Sequence, residues 1–220
     1  MSETTTKLGG DISATPISDV VSYPYGVVDR VAASWTKRLF DVVVAILVLL
    51  LFCPLLVAII IAIRVETGQS ALVSQRRTGY RGQIFTLYRF RTQASAEVMQ
   101  SVANLQATVV GQLLLALSLD ELPQVWNVLK GDMSIVGPRP HEVSDDEAYV
   151  GRINRYAERF RARPGLTGLS QVSGLRGEAS AVQLMRERVA TDNFYIEHWS
   201  FALDLTILAR TATVLRDQQV

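Results

Sequence analysis

The chain has 220 residues, a formal net charge of +1 and 49% hydrophobic residues. That length suits one domain with a real core, or one domain with a membrane anchor. The near-zero charge gives no general reason to expect a nucleic-acid partner; the single cysteine, Cys53, excludes an internal disulfide and fits a reducing, cytoplasm-facing domain.

Residues 1–34 are polar, with Thr4-Thr5-Thr6, Gly9-Gly10 and scattered prolines, and show no helical period. They read as a flexible N-terminal tail. Val42 to Ile63 then runs 22 residues without a charge. A helix of that length measures about 33 Å, enough to cross a hydrocarbon core of about 30 Å. About 40 residues precede it and no small-residue cleavage site follows, which reads against a cleavable signal peptide. Pro54 lies mid-segment, lacks an N–H and predicts a bend. Lys37 and Arg38 precede the segment, and Arg64, Arg76 and Arg77 follow it. If the helix crossed the membrane, the positive-inside tendency could not place both flanks in the cytoplasm. A re-entrant hairpin over 35–65, broken at Cys53-Pro54, satisfies both observations; a spanning helix that tolerates its proline is the alternative.

Residues 66–220 are expected to form a cytoplasmic, membrane-associated domain. Gly68–Phe90 alternates over Gln83–Tyr88 behind Gly79-Tyr80-Arg81-Gly82, the pattern of a β-hairpin. Ala94–Leu117 reads as helix. Glu142–Phe160 reads as one charged helix broken at Arg163-Pro164-Gly165, and Val182–Val189 and Phe201–Leu215 as two more. Arginine is concentrated: six lie between Arg64 and Thr92 against Glu66 alone, and five between Arg152 and Arg163 against Glu158. Arginine without lysine suits planar recognition of phosphate or anionic headgroups. The fold class is mainly α with a small β-hairpin (α+β), carrying one re-entrant membrane helix-break-helix and amphipathic interfacial helices.

The densest run is Ser118–Pro140. Adjacent Asp120 and Glu121 open it, and Leu122, Val125, Trp126 and Leu129 follow at i, i+3, i+4 and i+7. Gly131 ends the predicted helix, and Arg139 sits in a Gly-Pro-Arg-Pro turn. In isolation, acids ahead of Pro123 would only complement a helix dipole. Joined to a rigidly presented guanidinium, they suit a magnesium-dependent site that handles phosphate. The apolar stripe packs in a core or, beside a membrane anchor, lies at the bilayer surface with Trp126 at headgroup depth.

These pieces resemble the bacterial sugar transferases, the monotopic polyprenol-phosphate phosphoglycosyl transferases. The likeness rests on KRLFD at Lys37–Asp41, the apolar segment broken at Cys53-Pro54, SQRRTGYRGQIFTLYRFRT at Ser74–Thr92 and the Ser118–Pro140 run. RARPGLTGLSQVSGLRGE at Arg161–Glu178 and DNFYIEHWSFALDLTIL at Asp192–Leu208 complete it. The resemblance implies transfer of a hexose-1-phosphate from a UDP-hexose to undecaprenyl phosphate, releasing UMP and starting exopolysaccharide assembly. It further implies Asp120 as nucleophile, Asp120 and Glu121 as Mg2+ ligands, Arg139 and Arg176 near substrate phosphate, and a re-entrant helix at the bacterial inner membrane with the catalytic domain facing the cytoplasm. Arg163 either joins the substrate residues or caps a helix. A homodimer and partnership with later glycosyltransferases stay open.

The chain departs from the family's pattern at Leu115, where an arginine is usual five positions ahead of the aspartate. No positive charge remains between Arg91 and Lys130. Losing one charge-assisted contact to lipid phosphate would cost about 1.5–3 kcal/mol. Either Arg89 or Arg91 substitutes, or the protein is a catalytically impaired membrane scaffold that recruits other glycan-assembly enzymes. His141 and His198 are far apart with no cysteine at ligand spacing, which argues against zinc. Ser170 lacks a nucleophile-elbow context.

Overall fold

The computed structural model describes residues 30–93, 107–175 and 182–217. It opens with a four-residue helix, α1 (Arg30–Ala33), whose Val31 is buried, so folded chain begins ahead of the boundary expected after residue 34. The rest of the predicted tail, residues 1–29, lies outside the described residues. Ser34 caps the next helix, its Oγ accepting from the Lys37 N–H at 3.2 Å. That helix, α2 (Trp35–Thr67), runs 33 residues and stops at Gly68, whose φ of +69° favours glycine. Pro54, where a bend is expected, lies inside this helix. Pro54 removes one donor, leaving the Leu50 carbonyl without its helical partner, and the flanking turns persist.

Lys37, Asp41, Ala45, Ile59 and Ile63 are buried on α2, and Val44, Val48, Leu49, Leu56 and Ile60 pack partly against the cores beside it. These positions recur at three- and four-residue steps up to Leu49 and again from Leu56, so one stripe at each end of the helix faces the rest of the fold. Other positions along the same helix, among them Val43, Leu47, Leu50, Leu51, Val57 and Ile61, are exposed.

The hairpin forms as expected. β1 (Leu72–Thr78) pairs antiparallel with β2 (Ile84–Phe90), Gln75 opposite Leu87 and Arg77 opposite Phe85. Of the helix read over Ala94–Leu117, residues 94–106 lie outside the described residues, and α3 (Val109–Ala116) supplies the end. Gly111 lets α3 start hard against the hairpin: a Cβ there would lie 2.0 Å from the Thr92 carbonyl oxygen. A short 3-10 turn, Leu119–Glu121, carries the acids into α4 (Gln124–Lys130). Gly131 ends α4 at φ +94°.

Beyond it, β3 (Ser134–Val136) pairs in parallel with β4 (Gly165–Thr167). Gly137 and Gly165 make the approach possible, since a Cβ on Gly165 would sit 2.1 Å from the Gly137 nitrogen. The single charged helix expected over Glu142–Phe160 is instead α5 (Val143–Val150) followed by turns and a 3-10 segment, Tyr156–Arg161. α6 (Leu169–Val172), α7 (Val182–Glu197) and α8 (Phe201–Asp217) complete the fold.

Among the described residues, three apolar clusters hold it. The largest joins Ala45 of α2 to Val125 and Val128 of α4, Ile135 of β3, Tyr195 of α7 and Ile207 of α8. A second gathers Ile153, Tyr156, Phe160, Met185 and Val189. The third packs Ile59 and Ile63 against Ala71, Phe90 and Leu114.

Candidate active site

Asp120 and Glu121 sit at the end of a strained approach, because Ser118 takes the left-handed region at φ +54°. The turn aims both carboxylates at the hairpin. Arg89 Nη2 donates to Asp120 Oδ2 at 2.6 Å and to Glu121 Oε1 at 3.1 Å, so two neighbouring acids converge on one guanidinium nitrogen. Arg139 Nη2 donates to the same Glu121 oxygen at 2.8 Å. Asn127 on α4 fixes the hairpin against the acid-bearing segment. Its Oδ1 accepts from the Tyr88 N–H at 3.2 Å and its Nδ2 donates to the Thr86 carbonyl at 2.7 Å.

The pairs border a cleft of about 450 Å³ whose lining includes Arg77, Arg89, Glu121, Gln124, Arg139, Tyr149 and Arg188. Burial pushes the Arg77 guanidinium below its usual range, partly offset by Glu142 and reinforced by Arg89 and Arg139. Burial, Arg139 and Arg159 do the same to Arg188. Crowded, partly dehydrated arginines of this kind favour an anionic occupant. Burial raises the Asp120 carboxyl above 3.8; Arg89 pulls it down and Glu121 pushes it up again.

Behind Arg139 lies a buried polar network. Arg159 Nη2 donates to the Arg139 carbonyl at 2.7 Å and to Asp192 Oδ2 at 2.9 Å, and Ser170 Oγ donates to Asp192 Oδ1 at 2.8 Å. Tyr156 donates to Asp146 Oδ1 at 2.6 Å, and His141 Nδ1 lies 3.0 Å from the Tyr156 hydroxyl. Burial and the Arg159 charge hold His141 well below 6.5, so it is neutral at pH 7. The network presents Arg139 from a fixed backbone.

Of the residues expected in the site, Asp120, Glu121, Arg139 and Arg89 come together. Arg91 turns away, its Nε donating to the Ser70 carbonyl at 2.8 Å. Arg163 Nε donates to the Gly131 carbonyl at 3.0 Å, at the end of α4, and Arg163 is not among the residues lining the cleft. Arg176 lies outside the described residues. Trp126 is 54% exposed rather than part of the core face, which uses Val125 and Val128. Arg77, Gln124, Tyr149 and Arg188 were not picked out by sequence. Arg77 had a signal: the hairpin's two-residue period puts it on the same face as Arg89. Tyr149 and Arg188 reach the cleft only through the packing of α5 and α7.

A sequence profile described as bacterial sugar transferase matches residues 32–218. The chain belongs to this family. A UDP-glucose:undecaprenyl-phosphate glucose-1-phosphate transferase of Caulobacter vibrioides is 48% identical over 197 residues, 87% of this chain and 74% of the relative. A protein of the same name from Escherichia coli K12 is 37% identical over 91% of this chain, which spans only 44% of that relative's length. The exopolysaccharide production protein ExoY of Sinorhizobium fredii is 38% identical over 80% of this chain and 83% of its own length. Within the family, the run of motifs from Lys37 to Leu208 accounts for nearly all of the matched span.

Asp120 and Glu121, both bonded to Arg89, are adjacent oxygen donors of the kind that could hold a magnesium ion together with substrate phosphate oxygens and water. Among the described residues no cluster of three or more His, Cys, Asp or Glu comes together, so such a site would draw on Asp120 and Glu121 alone.

Proposed function

We propose that the chain transfers glucose-1-phosphate, or a closely related hexose-1-phosphate, from a UDP-hexose to undecaprenyl phosphate, releasing UMP and initiating exopolysaccharide assembly. The observation that carries this reading is the convergence of Asp120 and Glu121 on Arg89, beside Arg139, at the edge of an arginine-lined cleft. The names of the relatives favour UDP-glucose as donor.

An Asp120 oxygen attacks the β-phosphorus. The bond from that phosphorus to the bridging oxygen breaks, and UMP leaves with the electron pair. The sugar phosphate stays on the protein as an acyl phosphate. An oxygen of the lipid phosphate then attacks the same phosphorus and frees the Asp120 carboxylate. A covalent stage lets a water-soluble donor and a membrane-bound acceptor visit one site in turn. Arg139 and Arg89 hold phosphate oxygens through charge-assisted hydrogen bonds. Asp120 and Glu121 would hold a magnesium ion, and such an ion would supply positive charge against the diphosphate.

The membrane geometry is read in the same way. Both ends of α2 pack on the domain, with Lys37 bonded to Asp204 near its start and Ile63 in the third core near its end. Both ends therefore belong on one side of the bilayer, which supports a monotopic, re-entrant placement at the inner membrane with the domain in the cytoplasm. The exposed Leu50, Leu51 and Val57 face lipid.

The reading is tested by measuring UMP release across a panel of UDP-sugars with detergent-solubilised undecaprenyl phosphate and magnesium. No release from folded protein with any of them would favour the scaffold.

Arg89 is the cation bonded to Asp120. Because the ionised Asp120 attacks and Arg89 stabilises that form, activity should fall as pH drops through a value above 3.8. Arg89→Met should move this acid limb to higher pH, since it removes the main charge that lowers the Asp120 pKa. A pH–rate profile at fixed magnesium checks it; an unmoved limb would separate Arg89 from the nucleophile.

Leu115 is 49% exposed, whereas its neighbour Leu114 is buried in the third core. Leu115→Arg should therefore fold normally. It should improve lipid KM or lipid-product formation while leaving formation of the sugar-phosphate adduct nearly unchanged. Unchanged lipid kinetics would mean that Arg89 already serves the lipid phosphate.

A further inference from the structure

The two acids lie on the turn Leu119–Glu121, slung between α3 and α4. The far end of each of these helices is held by α2, and by opposite ends of it. Near the start of α2, Arg38 donates from Nη1 to the Val128 carbonyl at 2.6 Å and from Nη2 to the Leu129 carbonyl at 2.8 Å, gripping the last turn of α4. Near its end, Glu66 accepts from the Val109 N–H at 2.7 Å and from the Val110 N–H at 3.2 Å, closing the first turn of α3. An acid at one helix's N-terminus and an arginine at the other's C-terminus also match the helix dipoles. The helices are short, eight and seven residues, and little slack separates their outer ends from Asp120 and Glu121.

We propose that Arg38 and Glu66 are positioning residues that brace the acid-bearing turn from both sides against the membrane helix. The shape α2 takes in the bilayer then sets where Asp120 and Glu121 stand. Neither residue lines the cleft, so both act through the helices they hold. The inference rests on Asp120 and Glu121 being the reactive pair.

The test uses the full chain in lipid nanodiscs with UDP-glucose and undecaprenyl phosphate. Glu66→Ala and Arg38→Ala should each lower kcat by about ten- to a hundredfold with KM for UDP-glucose within about twofold, as ångström-scale misplacement of a reacting group does. Glu66→Gln keeps an oxygen that accepts both N–H bonds, so its kcat should stay within about threefold of the parent. Should an alanine variant at 66 fail to fold, Glu66→Asp, charged but one methylene short of the α3 amides, takes its place with the same expected loss. Amide hydrogen exchange gives a readout that needs no substrate. Glu66→Ala or Glu66→Asp should speed exchange at Val109 and Val110 and also at Ser118 and Leu122.

Undiminished kcat in folded Arg38→Ala and Glu66→Ala proteins would overturn the proposal, as would Glu66→Gln damaged as badly as Glu66→Ala. If the parent releases no UMP from any UDP-sugar, the proposed reaction fails and the brace is judged on exchange alone. In that case unaltered exchange at Ser118 and Leu122 rejects it.

Discussion

Asp120→Asn should reduce UMP release by about a thousandfold or more, since it removes the oxygen anion that attacks phosphorus. Asparagine keeps the size of the side chain and an acceptor for Arg89, which lies 2.6 Å away. The fold should be little affected: Asp120 is buried, and burial already disfavours its ionised form. The neutral amide removes that desolvation cost while forfeiting an ion pair, two effects that largely offset. Any labelled sugar-phosphate adduct trapped on the protein should vanish with turnover. Glu121→Gln should act differently, lowering turnover and flattening the magnesium response while leaving some adduct. Parent-like turnover in Asp120→Asn would remove Asp120 from the nucleophile's role.

Arg159→Met should cost about 3–5 kcal/mol of stability, the penalty for stranding buried charge. Arg159 is 3% exposed and bonds to Asp192 and the Arg139 carbonyl, with Asp146 3.8 Å away. Burial raises both Asp192 and Asp146 above 3.8, and Arg159 is the largest force pulling them back. Without it their folded-state values climb further. A carboxyl with a raised folded value is penalised only when ionised. The destabilisation is therefore full at neutral pH and shrinks as pH falls through the raised values toward 3.8. Chemical denaturation of parent and variant at several pH values measures it. A deficit independent of pH would mean that lost packing, rather than stranded carboxylates, is responsible.

The legible parts of this fold were those written in local pattern. The hairpin showed through its alternation around Gln83–Tyr88, the end of α4 through Gly131, and the apolar run of α2 through 22 uncharged residues. What stayed hidden depends on distant partners. β3 and β4 are three residues each, too short for a periodic signal, and they meet only because Gly137 and Gly165 allow the contact. The Glu142–Phe160 stretch has the composition of one helix, but Tyr156, Arg159 and Phe160 are claimed by a core and a buried network, and the chain turns to deliver them. In the site, Asp120, Glu121 and Arg139 could be read from one run of sequence. Separating Arg89 from Arg91, two residues apart, required their tertiary contacts, the first to Asp120 and the second to the Ser70 carbonyl, and Arg188 required the packing of α7. Asn127 gave no sign of its role, because an asparagine that serves a strand edge looks like any polar helix residue.

The apolar helix is no detachable tether. A cut after Thr67 would take Ala45 out of the largest core and Ile59 and Ile63 out of the third. It would also withdraw Lys37, whose ammonium lies 2.8 Å from Asp204, a carboxylate with no solvent exposure. Tyr195 and Trp199 would still donate to Asp204, but neither carries the charge that balances it. A water-soluble form of this enzyme has to be reached by repainting outward positions such as Leu47, Leu50 and Leu51 with polar side chains while the inward stripe of the helix is left in place.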